Sequence, residues 1–170
     1  MVYRREGYTT SVADDHQHEY YELNLILSGN VRILLPEHSV ETDRSHIMHS
    51  GEATCEKLLE LYPGKRCFVL GNEYLKADFA EYGIEIDNEN PEVVVVGFDT
   101  TLDYDKMRRV CDFVRAGLPY IATHPDFNCP TETGFIPDMG AIMAFIEAST
   151  GRKADIILGK PYGGIVREAQ

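Results

Sequence analysis

Pro91-Glu92-Val93-Val94-Val95-Val96-Gly97-Phe98 is the stretch that decides the fold of this chain. Four successive valines leave no polar residue to face water on alternate sides, so a strand made of them must be covered on both faces. A parallel sheet provides that cover, because the crossovers between its strands are usually helices packed against it. Outward from this run, helix and strand patterns alternate. Met107, Val110, Cys111, Val114 and Leu118 form one apolar helical stripe, closed by Gly117 and Pro119, and Tyr120–Thr123 reads as the next strand. A Gly/Pro/Asn/Thr-rich loop, residues 124–138 (HPDFNCPTETGFIPD), precedes a helix carrying Ile142, Met143, Phe145 and Ile146, and then the strand DIILG. Before the valines come a helix with Cys55, Leu58, Leu59 and Tyr62, a short strand CFVLG, and a helix from Tyr74 to Tyr82 stopped by Gly83. The β-α-β-α order predicts a three-layer α/β domain with a mostly parallel sheet. Its central strands are expected at Cys67–Leu70, Val93–Phe98, Tyr120–Thr123 and Ile156–Leu158.

The first 46 residues have a different character. Strand-like runs at Glu22–Ser28 and Val31–Leu35 flank Gly29-Asn30, which predicts a β-hairpin. The expected organisation is therefore a hairpin fragment over 1–46 and an α/β domain over 47–170.

Composition narrows the function classes. The chain of 170 residues carries a net charge of −12, which opposes nucleic-acid binding because phosphate contacts need clustered Lys and Arg. Cys55, Cys67, Cys111 and Cys129 contain no C-x-x-C pair, so zinc ribbons and thioredoxin-like chemistry have no support. No apolar run reaches the ~20 residues of a membrane span, and the first residues lack an apolar signal region. A cytoplasmic protein with free thiols and no membrane partner is expected.

The strings SGEATCEKLLELYPGKRCFVLG, VVVVGFDTTLDYDKMRRVCDFVRAGLPYIATHPDFNCPTETGFIPDMGAI and ILGKP, in uninterrupted order, resemble the NagD-like (class IIA) branch of the haloacid-dehalogenase superfamily. The resemblance covers about 50–161 and corresponds to the α/β cap of these enzymes. It implies a Mg-dependent phosphatase of small phosphorylated metabolites, in which the cap shields the aspartyl-phosphate chemistry, selects the substrate and often forms a homodimer interface. It also implies that Lys160, in Gly159-Lys160-Pro161, is the catalytic third-motif lysine.

Two parts of that family's pattern are not in these residues. No D-x-D-G-T string, which carries the nucleophile and the general acid/base, stands in residues 1–50. The metal-holding acidic motif is expected beyond the G-K-P lysine. Phosphoryl transfer needs nucleophile, metal and charge clamp together, so the chain alone is expected to bind no Mg and to be inactive. Asp99 follows an apolar run as a nucleophile would, but Thr101 stands where the acid/base Asp belongs, which favours a strand-end or helix-entry role. Asp103 or Asp105 is then the expected cap of the next helix.

Loop 124–138 lies after a strand C-terminus, where open α/β sheets hold ligands. His124, Asp126, Asn128, Thr131 and Glu132 supply donors and acceptors there, and they are the expected substrate-binding residues. Simple packing on the sheet, with Pro125, Pro130 and Pro137 setting turns, is the competing reading.

In the N-terminal fragment, His16, His18, Glu22 and Gly29 have a spacing similar to the first half of a cupin motif, and residues 18–47 resemble the start of an AraC-type ligand-binding domain. Two His on one strand face with a nearby Glu could hold a metal. That makes a small-ligand or metal sensor the alternative function. Two strands cannot close a barrel, however, and a lone hairpin is marginal.

Overall fold

The computed structural model describes residues 31–34, 39–42, 50–131 and 133–159. Two compact units divide the chain, Met1–Ile47 and Met48–Gln170. In the first, strand β1 (Val31–Leu34) pairs antiparallel with β2 (Ser39–Thr42). The partner described for Val31–Leu34 therefore comes from the polar stretch after Pro36, where no strand was expected. Glu22–Ser28 lies outside the described residues, as do His16 and His18.

The second unit runs α1 (Ser50–Leu61), β3 (Cys67–Leu70), α2 (Glu73–Glu81), β4 (Val93–Val96), α3 (Tyr104–Arg115), β5 (Tyr120–Ala122), β6 (Asn128–Thr131), β7 (Gly134–Pro137), α4 (Met139–Thr150) and β8 (Ile156–Ile157). Strands β3, β4, β5 and β8 form one parallel sheet in that order, with the four valines as an interior strand. All four valines are at most 1 % exposed, as double cover requires. This is the α/β fold with a mostly parallel sheet that the alternation predicted.

Strand residues alternate between two apolar layers. Phe68, Leu70, Val94, Val96, Tyr120 and Ala122 pack with Val110, Val114, Ile142 and Ile146 of α3 and α4. Cys67, Val69, Val93, Val95 and Ile121 pack with Cys55 and Leu58 of α1 and Phe79 of α2. A sheet whose strands follow in simple order would place every right-handed crossover helix on one face. Here α2 escapes that rule because the chain leaving it first runs beside the outer edge of β3. Ile86 bridges Cys67 in parallel, with Cys67 N–H donating to the Glu85 carbonyl (2.8 Å) and Asp87 N–H to the Cys67 carbonyl (3.0 Å). The crossover through α2 thus moves away from β4, while those through α3 and α4 move the other way. Arg66 holds the returning segment, pairing with Asp87 at 3.1 Å and Glu92 at 3.4 Å.

Helix entries follow local chemistry. Asn72, Asp103 and Asp138 cap α2, α3 and α4 with their side-chain oxygens, and Gly151, at φ 72°, ends α4 in the left-handed conformation. No described helix is long and apolar enough to cross a membrane.

Candidate functional site

The opposite directions of α2 and α3 make the carboxyl ends of β3 and β4 a switch point, the position where α/β sheets usually open a ligand crevice. Here that position is filled. Leu75 from the first turn of α2 lies over Gly71 and Gly97, and a Cβ on either glycine would come within 2.7 Å or 2.4 Å of its Cδ2. The two glycines leave room for this plug.

Asp99 follows β4, and its side chain is fully buried. One carboxylate oxygen accepts from Thr101 N–H (2.8 Å) and Thr101 Oγ1–H (2.6 Å); the other accepts from Lys106 Nζ (2.8 Å). Burial pushes this carboxyl up, but the hydrogen bonds from Lys106 and Thr101 outweigh it and hold the pKa below the ordinary value. Such a carboxylate stitches the entry of α3. Both oxygens are occupied, and no second carboxylate stands at position 101 to act as acid/base.

A second polar cluster stands at the end of β5. Buried Thr123 places its Oγ1 2.9 Å from Nδ1 of His124, and Nε2 of His124 lies 3.0 Å from Oδ1 of Asp138. The same Asp138 oxygen accepts from Met139 N–H at 2.6 Å, as the cap of α4. Between these residues the chain forms the β6–β7 hairpin, so residues 124–138 are a structured flap where a loop was expected. Gly140 N–H donates to the Asp126 carbonyl at 2.6 Å, and Asp138 N–H donates to the Phe127 carbonyl at 3.0 Å. Helix α4 approaches so closely that a Cβ on Gly140 would lie 2.5 Å from the Pro125 carbonyl oxygen. Gly159, at φ 59°, closes on the other side, its Cβ position 2.7 Å from that of His124.

Of the expected substrate-binding residues, His124 and Asp126 come together, joined by Asp138, with one ligand atom from each within 4.8 Å of the others. Asn128 and Thr131 sit at the two ends of β6, with Asn128 paired to Pro137 at the flap base and Thr131 to Gly134 at the hairpin tip. Glu132 and Lys160 lie outside the described residues, as does Glu22. Sequence reasoning passed over Thr123 and Asp138. The signal for Asp138 was its place directly before an apolar helical run, which marks a cap but not the return of that cap to His124.

Phe127, Phe135 and Ile136 on the flap, with Phe145 of α4, are exposed apolar residues. Among the described residues the donors do not match a Mg site. Among the described residues the one convergent group contains an imidazole, whereas Mg favours oxygen ligands throughout, and Asp99 is committed to Lys106.

No family model matches the chain. An acid sugar phosphatase of Staphylococcus epidermidis is 33 % identical over 128 residues, covering 75 % of this chain and 49 % of the phosphatase. A solved chain described as a nagD protein is 52 % identical, covers 70 % of this chain and 47 % of its own length, and superposes with a TM-score of 0.68. The 4-nitrophenylphosphatase of Thermotoga maritima is 51 % identical, with 71 % and 46 % coverage and a TM-score of 0.70. The chain spans about half the length of the relatives it matches. The sequence likeness and the shared α/β architecture converge on one assignment. The chain belongs to the NagD-like, class IIA branch of the haloacid-dehalogenase superfamily.

Proposed function

We propose that residues 47–170 are the substrate-recognition cap of a NagD-like phosphatase acting on small phosphorylated metabolites, and that residues 1–46 are a separate hairpin fragment. The observation that carries this reading is the match to about half of each phosphatase relative, over a region without the D-x-D-G-T nucleophile string. In this reading the flap 124–138 faces the substrate. His124 and Asp126 at its base, Asn128, Thr131 and Glu132 along it, present hydrogen-bonding groups to the part of the substrate beyond its phosphate. The exposed Phe127 and Phe135 favour the same role, since apolar side chains at a flap are suited to being covered by substrate or by a catalytic core. Lys160 acts as the charge clamp of the complete enzyme, and the described residues offer no all-oxygen set for its Mg. A homodimer through the cap sheet or the N-terminal hairpin covers the surface that a core would otherwise bury.

The purified chain is expected to show no Mg-dependent turnover of p-nitrophenyl phosphate above buffer. Exchanging residues 50–159 for the matching region of the Staphylococcus epidermidis phosphatase should leave that enzyme active with an altered substrate preference. Turnover by the isolated chain that Asp99→Asn abolishes would overturn the reading and make Asp99 the nucleophile. Sedimentation equilibrium on the same preparation reads the association, and a monomer throughout the micromolar range would exclude the dimer.

A further inference from the structure

We propose that His124, Asp126 and Asp138 form a binding site for a first-row divalent transition cation of the zinc class, separate from the family's Mg site. The argument begins with charge. Two carboxylates converge at the base of the flap in a chain of net charge −12, and among the described residues neither is paired with Lys or Arg. The carboxylate of Asp126 makes no hydrogen bond or ion pair with any described residue, although it lies within 4.8 Å of both other groups. Like charges held this close destabilise each other unless a cation or a proton lies between them. Among the described side chains, Asp138 has His124 Nε2 as its partner, and its other bond is the cap from Met139 N–H.

The second part is geometry. A zinc-class ion binds imidazole nitrogen and carboxylate oxygen at about 2.0–2.2 Å, which places ligand atoms about 3–4 Å from one another. The three groups already approach that spacing, so a modest closing of the exposed Asp126 side chain completes the set. Their backbone is fixed by bonds outside the cluster: Gly140 N–H donates to the Asp126 carbonyl, and Asp138 N–H to the Phe127 carbonyl. Buried Thr123 supplies the outer support that ligating histidines need. In the metal-free molecule the carboxylate of Asp138 can only accept, so Nε2 carries the proton and Thr123 donates to Nδ1. On binding, the proton leaves Nε2 and is held at Nδ1, where Thr123 Oγ1 accepts it, freeing the Nε2 lone pair for the ion.

One imidazole and two carboxylates favour a transition dication over Mg or Ca, and no thiolate is in the set. Three protein ligands leave a coordination position toward solvent, as at sites that hold a water or a substrate oxygen. The proposal shares the flap with the functional reading but does not depend on it, because binding is measured on the chain without substrate.

The test is calorimetric titration of Zn²⁺ into the full chain in Mg-containing buffer, with Co²⁺ absorption reporting the ligand set. The expected result is one saturable equivalent. Asp126→Asn and Asp138→Asn, which preserve shape and the helix cap, should each weaken it by at least about tenfold, and Thr123→Val by about tenfold. A His16→Asn/His18→Asn double variant serves as the control and should bind as the parent does. Unchanged thermal unfolding of Asp126→Asn confirms that the fold is intact. Absence of saturable binding, or binding that survives Asp126→Asn and is lost in the His16/His18 variant, would overturn the proposal.

Discussion

Truncating Phe79 to alanine lowers the unfolding free energy by about 4 kcal/mol. Phe79 is fully buried and is the residue through which α2 enters the core, in the layer that holds Cys55, Leu58, Ile84 and Val95. Alanine removes the ring and leaves a cavity between a helix and a sheet that are braced from several sides, so the site has little freedom to collapse. The loss is read as a lower urea midpoint at unchanged slope. Tyr74→Ala on the same helix, at a side chain 71 % exposed, should change stability by less than about 0.5 kcal/mol. Equal effects from the two substitutions would mean that α2 does not pack on the face occupied by α1.

Asp99→Ala is expected to cost about 3 kcal/mol, the lower end for breaking a buried ion pair, because Lys106 remains a quarter exposed. The substitution leaves Thr101 N–H, Thr101 Oγ1–H and Lys106 without their shared acceptor. The pH dependence has a definite sign. The folded-state pKa of Asp99 is lowered, so its contribution is present above the ordinary carboxylate pKa and is lost as pH falls through the lowered value. The variant should therefore show its deficit at neutral pH and approach the parent in acid. Urea unfolding at neutral pH and near pH 3 measures both. A variant as stable as the parent at neutral pH would remove the structural role assigned to Asp99.

The layered α/β architecture was legible because burial on two faces writes itself into consecutive residues. Val93–Val96 cannot be a half-exposed strand, and the stripe from Met107 to Leu118 cannot bury without a sheet beside it. The side on which α2 packs was not legible. It rests on one bridge, Ile86 to Cys67, and on Arg66 holding the return segment, contacts between residues 19 to 26 apart that leave no periodic trace. Residues 124–138 stood out by length and by Pro and Gly content. Their pairing as β6–β7 was hidden, because NCPT and GFIP carry prolines and little β-branched character.

By itself, the sequence determined the doubly covered parallel sheet, the helix entry at Asp103, and the family, since each follows from local periodicity, capping chemistry or contiguous strings. Tertiary structure alone decided that Leu75 fills the switch point over Gly71 and Gly97, and that His124 reaches Asp138 fourteen residues on. The physical reason is the close seat of α4 at Gly140. Its first turn returns the chain to the end of β5, and only that return converts a helix cap and a strand-end histidine into one cluster.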